Sequence, residues 1–159
     1  MKTILLASGI ALALGCGMAV EAVAQTSPNQ LISQRKGAMN LQAKYFGPLL
    51  AMVQGRVPYD ARTAQRNADY LTVLAQLPWD DFQPSTIGAR RTEAKEDIYK
   101  DTAKFKAGIE TFQTEVQKLT AAARAGDPTT VNAAVRNVGR SCNSCHEAFA
   151  TFEYRFPVQ

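Results

Sequence analysis

Apolar residues recur at intervals of three, four and seven along most of the chain, which is the pattern of one buried face of an α-helix. No stretch after residue 24 alternates apolar and polar residues as a half-buried β-strand would. The pattern therefore predicts an all-α protein. The clearest series are Ile98, Phe105, Ile109, Phe112, Val116, Leu119 and Ala123, and then Val131, Val135, Val138, Cys142, Cys145, Phe149 and Phe152.

The first predicted helix begins at Ser27 and ends near Gln54. Ser27 is a good N-cap, and Pro28 fits the first helical position, where its missing N–H is not needed. Pro48 lies inside the helix and cannot donate its backbone hydrogen bond, so we expect a bend there. Two adjacent apolar stripes make this face wider than one bundle core needs. They are Leu31, Ala38, Tyr45, Leu49 and Met52, and Met39, Ala43, Phe46, Leu50 and Val53.

Three further helices are predicted from the same periodicity and from residues that favour helix ends. They run from Asp60 to the residue before Pro78, from about Thr92 to Ala125, and from Asp127 towards the C-terminus. Residues 77–91 form the one long loop, and its Trp79 and Phe82 are expected to fold back onto the helices. Four helices with mostly short links predict an antiparallel four-helix bundle, a fold that holds cofactors between facing helices.

The N-terminus has the three parts of an export signal. Lys2 provides the basic region, residues 4–20 are mostly apolar, and Ala22-Val23-Ala24 is a small-x-small cleavage site. We therefore predict a signal peptide over residues 1–24, cleaved after Ala24. The remaining residues 25–159 then form one domain in the periplasm.

Two other interpretations of the N-terminal segment, a retained membrane anchor and a lipoprotein signal, fit the sequence less well. A retained membrane anchor is disfavoured because Ser8 and several glycines interrupt the apolar run and the cleavage site follows at once. A lipoprotein would be cut before Cys16, but Ala13 stands three residues before it where a large aliphatic residue is usual. We therefore expect no membrane insertion after cleavage.

The charge pattern narrows the classes of partner. The formal net charge is +4, and cleavage removes one basic and one acidic residue, Lys2 and Glu21. The lysines and arginines are scattered along the chain. Such a mild and dispersed excess predicts binding neither to nucleic acid nor to an anionic membrane.

The candidate chemistry lies in Cys142-Asn143-Ser144-Cys145-His146. This is Cys-x-x-Cys-His, the attachment signature of a c-type haem. Thiols three residues apart on a helix lie on nearly the same side, so both can add to the vinyl groups of one porphyrin. His146 lies one turn beyond Cys142, and its imidazole can bind the iron as the axial ligand. The motif therefore predicts one covalently attached haem c per chain, near the C-terminus of the bundle.

Three other interpretations of the motif fit less well. A zinc site needs four ligands, whereas the chain has three Cys and one His, and Cys16 lies in the predicted signal peptide. A thioredoxin-like Cys-x-x-Cys follows a strand and opens a helix, whereas this pair lies inside a helical pattern. A disulfide between Cys142 and Cys145 would leave His146 without a role.

The chain resembles the cytochrome c′ family, including its low-spin relatives, over the predicted mature domain. The resemblance rests on the Cys-x-x-Cys-His motif with Phe149 three residues after it, near the C-terminus of four predicted helices. It also rests on Arg35-Lys36-Gly37-Ala38-Met39 in the first helix and on Pro58-Tyr59-Asp60 before the second.

The resemblance implies roles for residues of the first helix. Arg35 matches an arginine that contacts a haem propionate, Lys36 takes the next position, and Met39 matches the residue over the distal face of the iron. The resemblance also implies a homodimer packed through the first helix. One departure is that Ala150 stands where the family often has a basic residue, and the nearest later arginine is Arg155.

The sixth iron ligand separates two functions. Two histidine ligands within one chain are excluded because His146 is the only histidine. Met39 shares a helix face with Arg35, whereas Met52 lies on a different side of the helix, about 20 Å along it. Met39 could pack over the iron without binding it, as in a protein that binds small gases such as NO and CO. It could instead bind the iron, as in a low-spin His/Met electron carrier with redox partner proteins. No enzyme activity is predicted, because no second histidine is available as a distal base.

Overall fold

The structure is a computed structural model that describes residues 26–152 and 155–158. The predicted signal peptide, its cleavage site and Cys16 lie outside the described residues. Within them the chain forms five α-helices and two short 3₁₀ turns, and no β-strand. The helices are α1 (Pro28–Val53), α2 (Ala61–Leu74), α3 (Asp97–Lys100), α4 (Thr102–Ala125) and α5 (Pro128–Phe149).

The four long helices form the predicted four-helix bundle. Helix α1 packs on α2, α2 on α4, and α4 on α5, whereas α1 and α5 share a much smaller contact. The main core lies between them and includes the fully buried Leu49, Leu71, Leu119, Val116 and Val135. The wide seam between α1 and α5 leaves room for a cavity on that side of the bundle.

The predicted N-caps are confirmed. A side-chain oxygen of each cap accepts a hydrogen bond from a backbone N–H in the first turn of its helix, and this bond replaces one that the helix cannot supply. The pairs are Ser27 with Gln30 at 3.3 Å, Asp60 with Thr63 at 2.7 Å, and Asp127 with Thr130 at 2.8 Å. Gly126 ends α4 with φ of 78°, a backbone conformation that glycine adopts at little cost.

The third helix is shorter than predicted, and the expectation that it begins near Thr92 was wrong. The chain is helical only from Asp97, and it breaks at Asp101, which has φ of −125° and ψ of 65°. The Asp101 side chain accepts from the Lys104 N–H at 3.0 Å and so caps a new helix. A local capping interaction therefore divides the predicted helix into α3 and α4.

Residues 93–95 are extended because they pair with the end of α5. Lys95 N–H donates to the Phe149 carbonyl at 2.9 Å, and Thr151 N–H donates to the Glu93 carbonyl at 2.8 Å. Since α5 ends at Phe149, Phe152 lies beyond the helix and is 37% exposed. Its predicted place on the core stripe of the last helix was therefore wrong.

The second apolar stripe of α1 faces the interior of its own chain. Phe46 and Leu50 are buried in the same core cluster as Leu49, and Met39 and Ala43 line a cavity. The second stripe is therefore not a surplus outer face, contrary to the sequence interpretation.

The contacts of the α2–α3 loop and of Pro48 agree with the sequence analysis in part. Trp79 folds back as predicted, and its indole N–H donates to the Ala75 carbonyl at 2.8 Å.

Helix α1 continues through Pro48, and the bend there stays a prediction. The Asn67 side chain donates to the Tyr45 carbonyl at 3.1 Å, one residue beyond the carbonyl that Pro48 leaves without its usual donor.

Among the described residues, none of the helices combines the length and the apolar character needed to cross a membrane.

Candidate haem site

The seam between α1 and α5 holds a cavity of about 570 Å³. Most of its remaining wall comes from α4 and from the loop between α2 and α3, which contributes Trp79 and Phe82. All seven residues that the sequence analysis selected line this one cavity. They are Arg35, Lys36, Met39, Cys142, Cys145, His146 and Phe149.

The two thiols lie on the wall formed by α5. Cys142 packs against the main core, and Cys145 packs against a smaller cluster that includes Phe149 and Phe105. Helix α4 comes close at Gly108, where a Cβ atom would lie 3.8 Å from Cys145 Sγ. Both cysteines are free thiols and remain available for covalent attachment.

The thiols do not have the properties of a redox dithiol. Burial raises the pKa of Cys142 to about 12, and the neighbouring Cys145 adds to the effect. Burial also raises the pKa of Cys145. A catalytic Cys-x-x-Cys instead lowers the pKa of its attacking cysteine to favour the thiolate. The environment of these thiols thus disfavours disulfide exchange chemistry.

His146 is presented as a neutral imidazole. Burial lowers the pKa of His146, and the neutral form is the one that binds metals. Its Nδ1 is buried and has no hydrogen-bond partner among the described residues. Nowhere in the described part of the chain do three or more Cys, His, Asp or Glu side chains group so as to hold a metal ion by themselves. A buried, neutral imidazole on the cavity wall fits the axial ligand of a metal held in a larger group.

Arg35 is a buried cation with an unused donor. The residue is 4% exposed, and its Nη2 donates to Thr92 Oγ1 at 3.4 Å. Its Nη1 is buried without a hydrogen-bond partner among the described residues. A buried charge of this kind is costly unless an anion or another acceptor meets it. A carboxylate inside the cavity would satisfy it.

Lys36 lies at the rim of the cavity. It pairs with Glu93 at 3.2 Å, and the two side chains are 43% and 51% exposed. An exposed pair of this kind contributes little to stability. Lys36 is therefore a weaker candidate than Arg35 for binding a buried anion.

The cavity distinguishes between the two methionines of α1. Met39 lines it, half-buried and one helical turn from Arg35, whereas Met52 is not part of its lining. The structure therefore brings Met39 to the same cavity as His146, as the sequence analysis expected.

The wall beside His146 contains one residue that the sequence analysis noted and two that it did not assign to the site. Ala150 lines the cavity and forms an isolated bridge with Ala94, while Arg155 pairs with Glu147 at 3.0 Å on the surface. Phe152 and Phe156 also line the cavity, and the sequence analysis gave them no site role. The available signal was the series of aromatic residues shortly after the motif, Phe149, Phe152, Tyr154 and Phe156.

The residues present fit a haem with two thioether bonds. Two protonated thiols and a neutral imidazole share one wall, and a buried guanidinium has a donor to spare. The remaining walls are largely apolar and aromatic, as a porphyrin ring requires. These properties together are those of a cofactor cavity.

Comparisons with known proteins find similar proteins over most of the chain. A family model described as Cytochrome C′ matches residues 30–150. The chain is 39% identical to cytochrome c′ of Alcaligenes xylosoxydans xylosoxydans over 122 residues, which cover 77% of this chain and 94% of that protein.

Solved structures resemble the fold as well as the sequence. The crystal structure of cytochrome c′ from Rubrivivax gelatinosus superposes with a TM-score of 0.75 at 38% identity, covering 79% of this chain and 98% of the other. A nitric oxide complex of a variant of cytochrome c′ from Alcaligenes xylosoxidans superposes with a TM-score of 0.73 at 37% identity. It covers 80% of this chain and 98% of that one.

Proposed function

The chain belongs to the cytochrome c′ family, and we propose that it is a periplasmic haem protein whose iron is bound by His146 and whose distal site is restricted by Met39. Proteins of the family carry covalently bound c-type haem, and this chain has cysteines for it near its C-terminus, Cys142 and Cys145. Its function is haem-based electron transfer or gas binding. One observation supports the proposed roles of His146 and Met39. The motif residues Cys142, Cys145 and His146 line the same cavity as Arg35 and Met39.

Each site residue has a distinct role in this proposal. Cys142 and Cys145 form the thioether bonds, and His146 is the axial ligand on the same wall. Arg35 binds a propionate through its unpaired Nη1. Lys36 lies at the rim, and Phe149 packs beside Cys145. When bound, the haem supplies an iron that takes up one electron or one small ligand.

Met39 sets the character of the distal site. A half-buried thioether on the cavity wall leaves little open space, so an entering ligand must move it aside. Small uncharged gases then bind more readily than bulky or anionic ligands. We propose NO and CO as such ligands, and the nitric oxide complex of the related protein supports this choice.

The second candidate function is a low-spin electron carrier in which Met39 binds the iron. The observation in its favour is that Met39 and His146 line the same cavity. A thioether ligand would stabilise the ferrous state and close the sixth position. We propose redox partner proteins wherever either candidate acts in electron transfer, because an electron carrier must exchange electrons with other proteins.

Two further parts of the proposal concern localisation and reaction type. The predicted signal peptide over residues 1–24 supports export to the periplasm, an oxidising compartment that is compatible with covalent haem attachment.

An enzymatic reaction is not proposed, because His146 is the only histidine of the chain and is used as the axial ligand.

A homodimer is also proposed, through a surface that includes the first helix, as the family resemblance implies, together with α2. Exposed apolar side chains lie on α1 and α2 and in the turn after α2. They are Leu41 at 43% exposure, Tyr70 at 46%, Val73 at 67% and Leu77 at 49%. The ring of Tyr45 on α1 contacts the ring of Tyr70 on α2 in a tilted arrangement, with 4.7 Å between ring centroids and 51° between planes, so the exposed side chains of the two helices adjoin. A second copy packed on this surface would bury these residues in a symmetric interface.

Mass spectrometry and absorption spectra test the haem assignment. Protein made in a host that matures c-type cytochromes should carry one haem that survives denaturation. Cys142→Ala combined with Cys145→Ala should abolish the covalent mass, whereas His146→Ala should keep it and change the iron spectrum. A mature mass without haem, or with a disulfide or bound zinc, would refute the assignment.

A further inference from the structure

The described residues after α5 fold back over the haem cavity. We call residues 151–152 and 155–158 the post-α5 segment. The family match ends at residue 150, whereas Phe152 and Phe156 of this segment both line the cavity. Terminal residues are usually poorly ordered unless specific contacts hold them. The contacts that hold this segment therefore point to a role at the cavity.

Asn143 attaches the post-α5 segment to the haem motif itself. Its Nδ2 donates to the Phe156 carbonyl at 2.9 Å, and its Oδ1 accepts from the Phe156 N–H at 2.8 Å. This pair of hydrogen bonds fixes both the position and the direction of the backbone at residue 156. Since Asn143 lies between Cys142 and Cys145, the segment is fixed to the same helical turn that carries the thiols.

Phe156 and Val158 of the same segment make apolar contacts with α1 and α5, in the seam between these helices. The Phe156 ring meets Phe46 of α1 edge-on, with 4.9 Å between centroids and 83° between planes. Val158 rests on Gly139 of α5, where an added Cβ would overlap the valine side chain. Gln54, the residue directly after α1, donates through its Nε2 to the Pro157 carbonyl at 2.8 Å. The segment thus packs between α1 and α5, two helices that share only a small direct contact.

Phe152 brings the segment into contact with the candidate axial ligand. Its ring meets the imidazole of His146 with 5.0 Å between centroids and 62° between planes. Ala150 adds only a methyl group to this wall. The surroundings of His146 on this side are therefore aromatic and aliphatic.

We propose that the post-α5 segment is a built-in cover over the His146 side of the haem site, in which Phe152 is a positioning residue for the axial histidine. The proposal rests on the proposed role of His146. The Phe152 ring restricts rotation of the imidazole and keeps water from it. An apolar, water-excluding wall disfavours the more highly charged ferric state, so the cover raises the reduction potential.

The first measurement tests whether these contacts hold the post-α5 segment in place. Its readout does not depend on the haem. In the full-length wild-type protein, the N–H groups of Phe156 and Val158 should be protected from hydrogen exchange. Asn143→Ala should accelerate their exchange at least about tenfold, since a factor of ten corresponds to about 1.4 kcal/mol. Free exchange of both groups in the wild type would overturn the proposal.

The second measurement asks whether Phe152 acts on the iron through His146. In Phe152→Ala, the iron–histidine stretching band of the ferrous protein should shift or broaden and the reduction potential should fall. Phe152→Leu, which keeps most of the bulk, should lie between this variant and the wild type. Ile87→Ala is the control, because Ile87 is an apolar residue of similar exposure, 43%, outside the cavity lining.

The outcomes separate this proposal from the assignment of the haem. Each comparison uses protein whose mass shows one attached haem. An unchanged band and potential in Phe152→Ala would refute the role of Phe152 and leave the haem assignment intact. A wild type without covalent haem would refute both the assignment and the role of Phe152.

Discussion

The guanidinium of Arg35 lies over the ring of Phe82, with 4.6 Å between Arg35 Cζ and the ring centroid. Arg35 belongs to α1 and Phe82 to the loop between α2 and α3, which are distant in sequence. A cation–π contact with a desolvated guanidinium is worth about 2 kcal/mol. The loop therefore helps to hold a buried cation at the wall of the haem cavity.

This buried cation should influence the reduction potential. Arg35→Met keeps the length of the side chain and removes its charge. A positive charge near the haem favours the ferrous state, so the variant should have a lower potential, by on the order of tens of millivolts for one charge at an effective dielectric constant of about 20. Redox titration of purified protein measures the shift.

Lys36→Met provides the matched control for this prediction. Lys36 is the adjacent cation, but it is exposed and already paired with Glu93. Solvent screens such a charge, so its removal should change the potential less. A larger effect for Lys36→Met than for Arg35→Met would contradict the assignment of Arg35 as the propionate-binding residue.

Met39 should lie over the iron without a firm bond, so the ferric wild type should be largely five-coordinate and high-spin. Met39→Ala should then keep a high-spin spectrum and bind CO faster, because it removes the side chain that an entering ligand must displace. Since Met39 is only half-buried, the free energy of unfolding should fall by less than about 2 kcal/mol, the lower limit for truncating a buried methionine.

Met52→Ala is the control for this substitution, because Met52 lies on the same helix outside the cavity lining. It should leave the spectrum and CO binding unchanged. A low-spin wild type whose methionine–iron charge-transfer band disappears in Met39→Ala would support the alternative, an electron carrier with Met39 as sixth ligand.

The proposed dimer surface makes Val73 a sensitive position. Val73→Lys places a charge on the most exposed of its apolar residues, at 67% exposure, and a charge buried without a partner opposes association. Sedimentation velocity should show a dimer for the wild type and a shift towards monomer for the variant. Ile87→Lys, outside this surface, should remain dimeric. A wild type that is monomeric over a wide concentration range would exclude the dimer.

Asp127 should make stability depend on pH in the acid range. Hydrogen bonds from Thr130, first from its side chain and then from its backbone, hold the pKa of Asp127 below the ordinary value of 3.8. Because the folded-state pKa is lowered, the stabilisation is complete above about pH 3.8 and is lost as the pH falls through the lowered value. Asp127→Asn keeps a good N-cap without a titrating group.

Thermal unfolding from pH 5 down to about pH 2 tests this prediction. The wild type should lose more stability than Asp127→Asn over this interval, and high salt should reduce the difference because the carboxylate is exposed. Equal losses in the two proteins would show that the Asp127 carboxylate does not contribute to acid stability. Glu147, which lies next to the proposed haem ligand His146, is unchanged in both proteins.

The local sequence predicted most of the helical structure. The N-caps at Ser27, Asp60 and Asp127 and the end of α4 at Gly126 are confirmed, because each depends on residues within three or four positions. The periodicity also placed Val116 and Leu119 in the core, where both are fully buried. The family resemblance is confirmed as well.

The same reasoning could not predict how distant segments affect each other. Residues 93–95 are extended because they pair with residues 149–151, more than fifty positions away, and this pairing overrides their helical pattern. In the post-α5 segment, the Pro157 carbonyl accepts a hydrogen bond from the Gln54 side chain, 103 positions earlier in the chain. No local pattern reports such a contact.

The sequence by itself determined the chemistry of the site, since the spacing of Cys142, Cys145 and His146 is a property of one helix. Only the tertiary structure decided what surrounds that chemistry: it placed Met39 and not Met52 at the cavity, and it brought Phe152 against the His146 ring. The physical reason is that helix periodicity depends on neighbours three and four residues apart. The walls of a cavity depend instead on which helices and loops pack together.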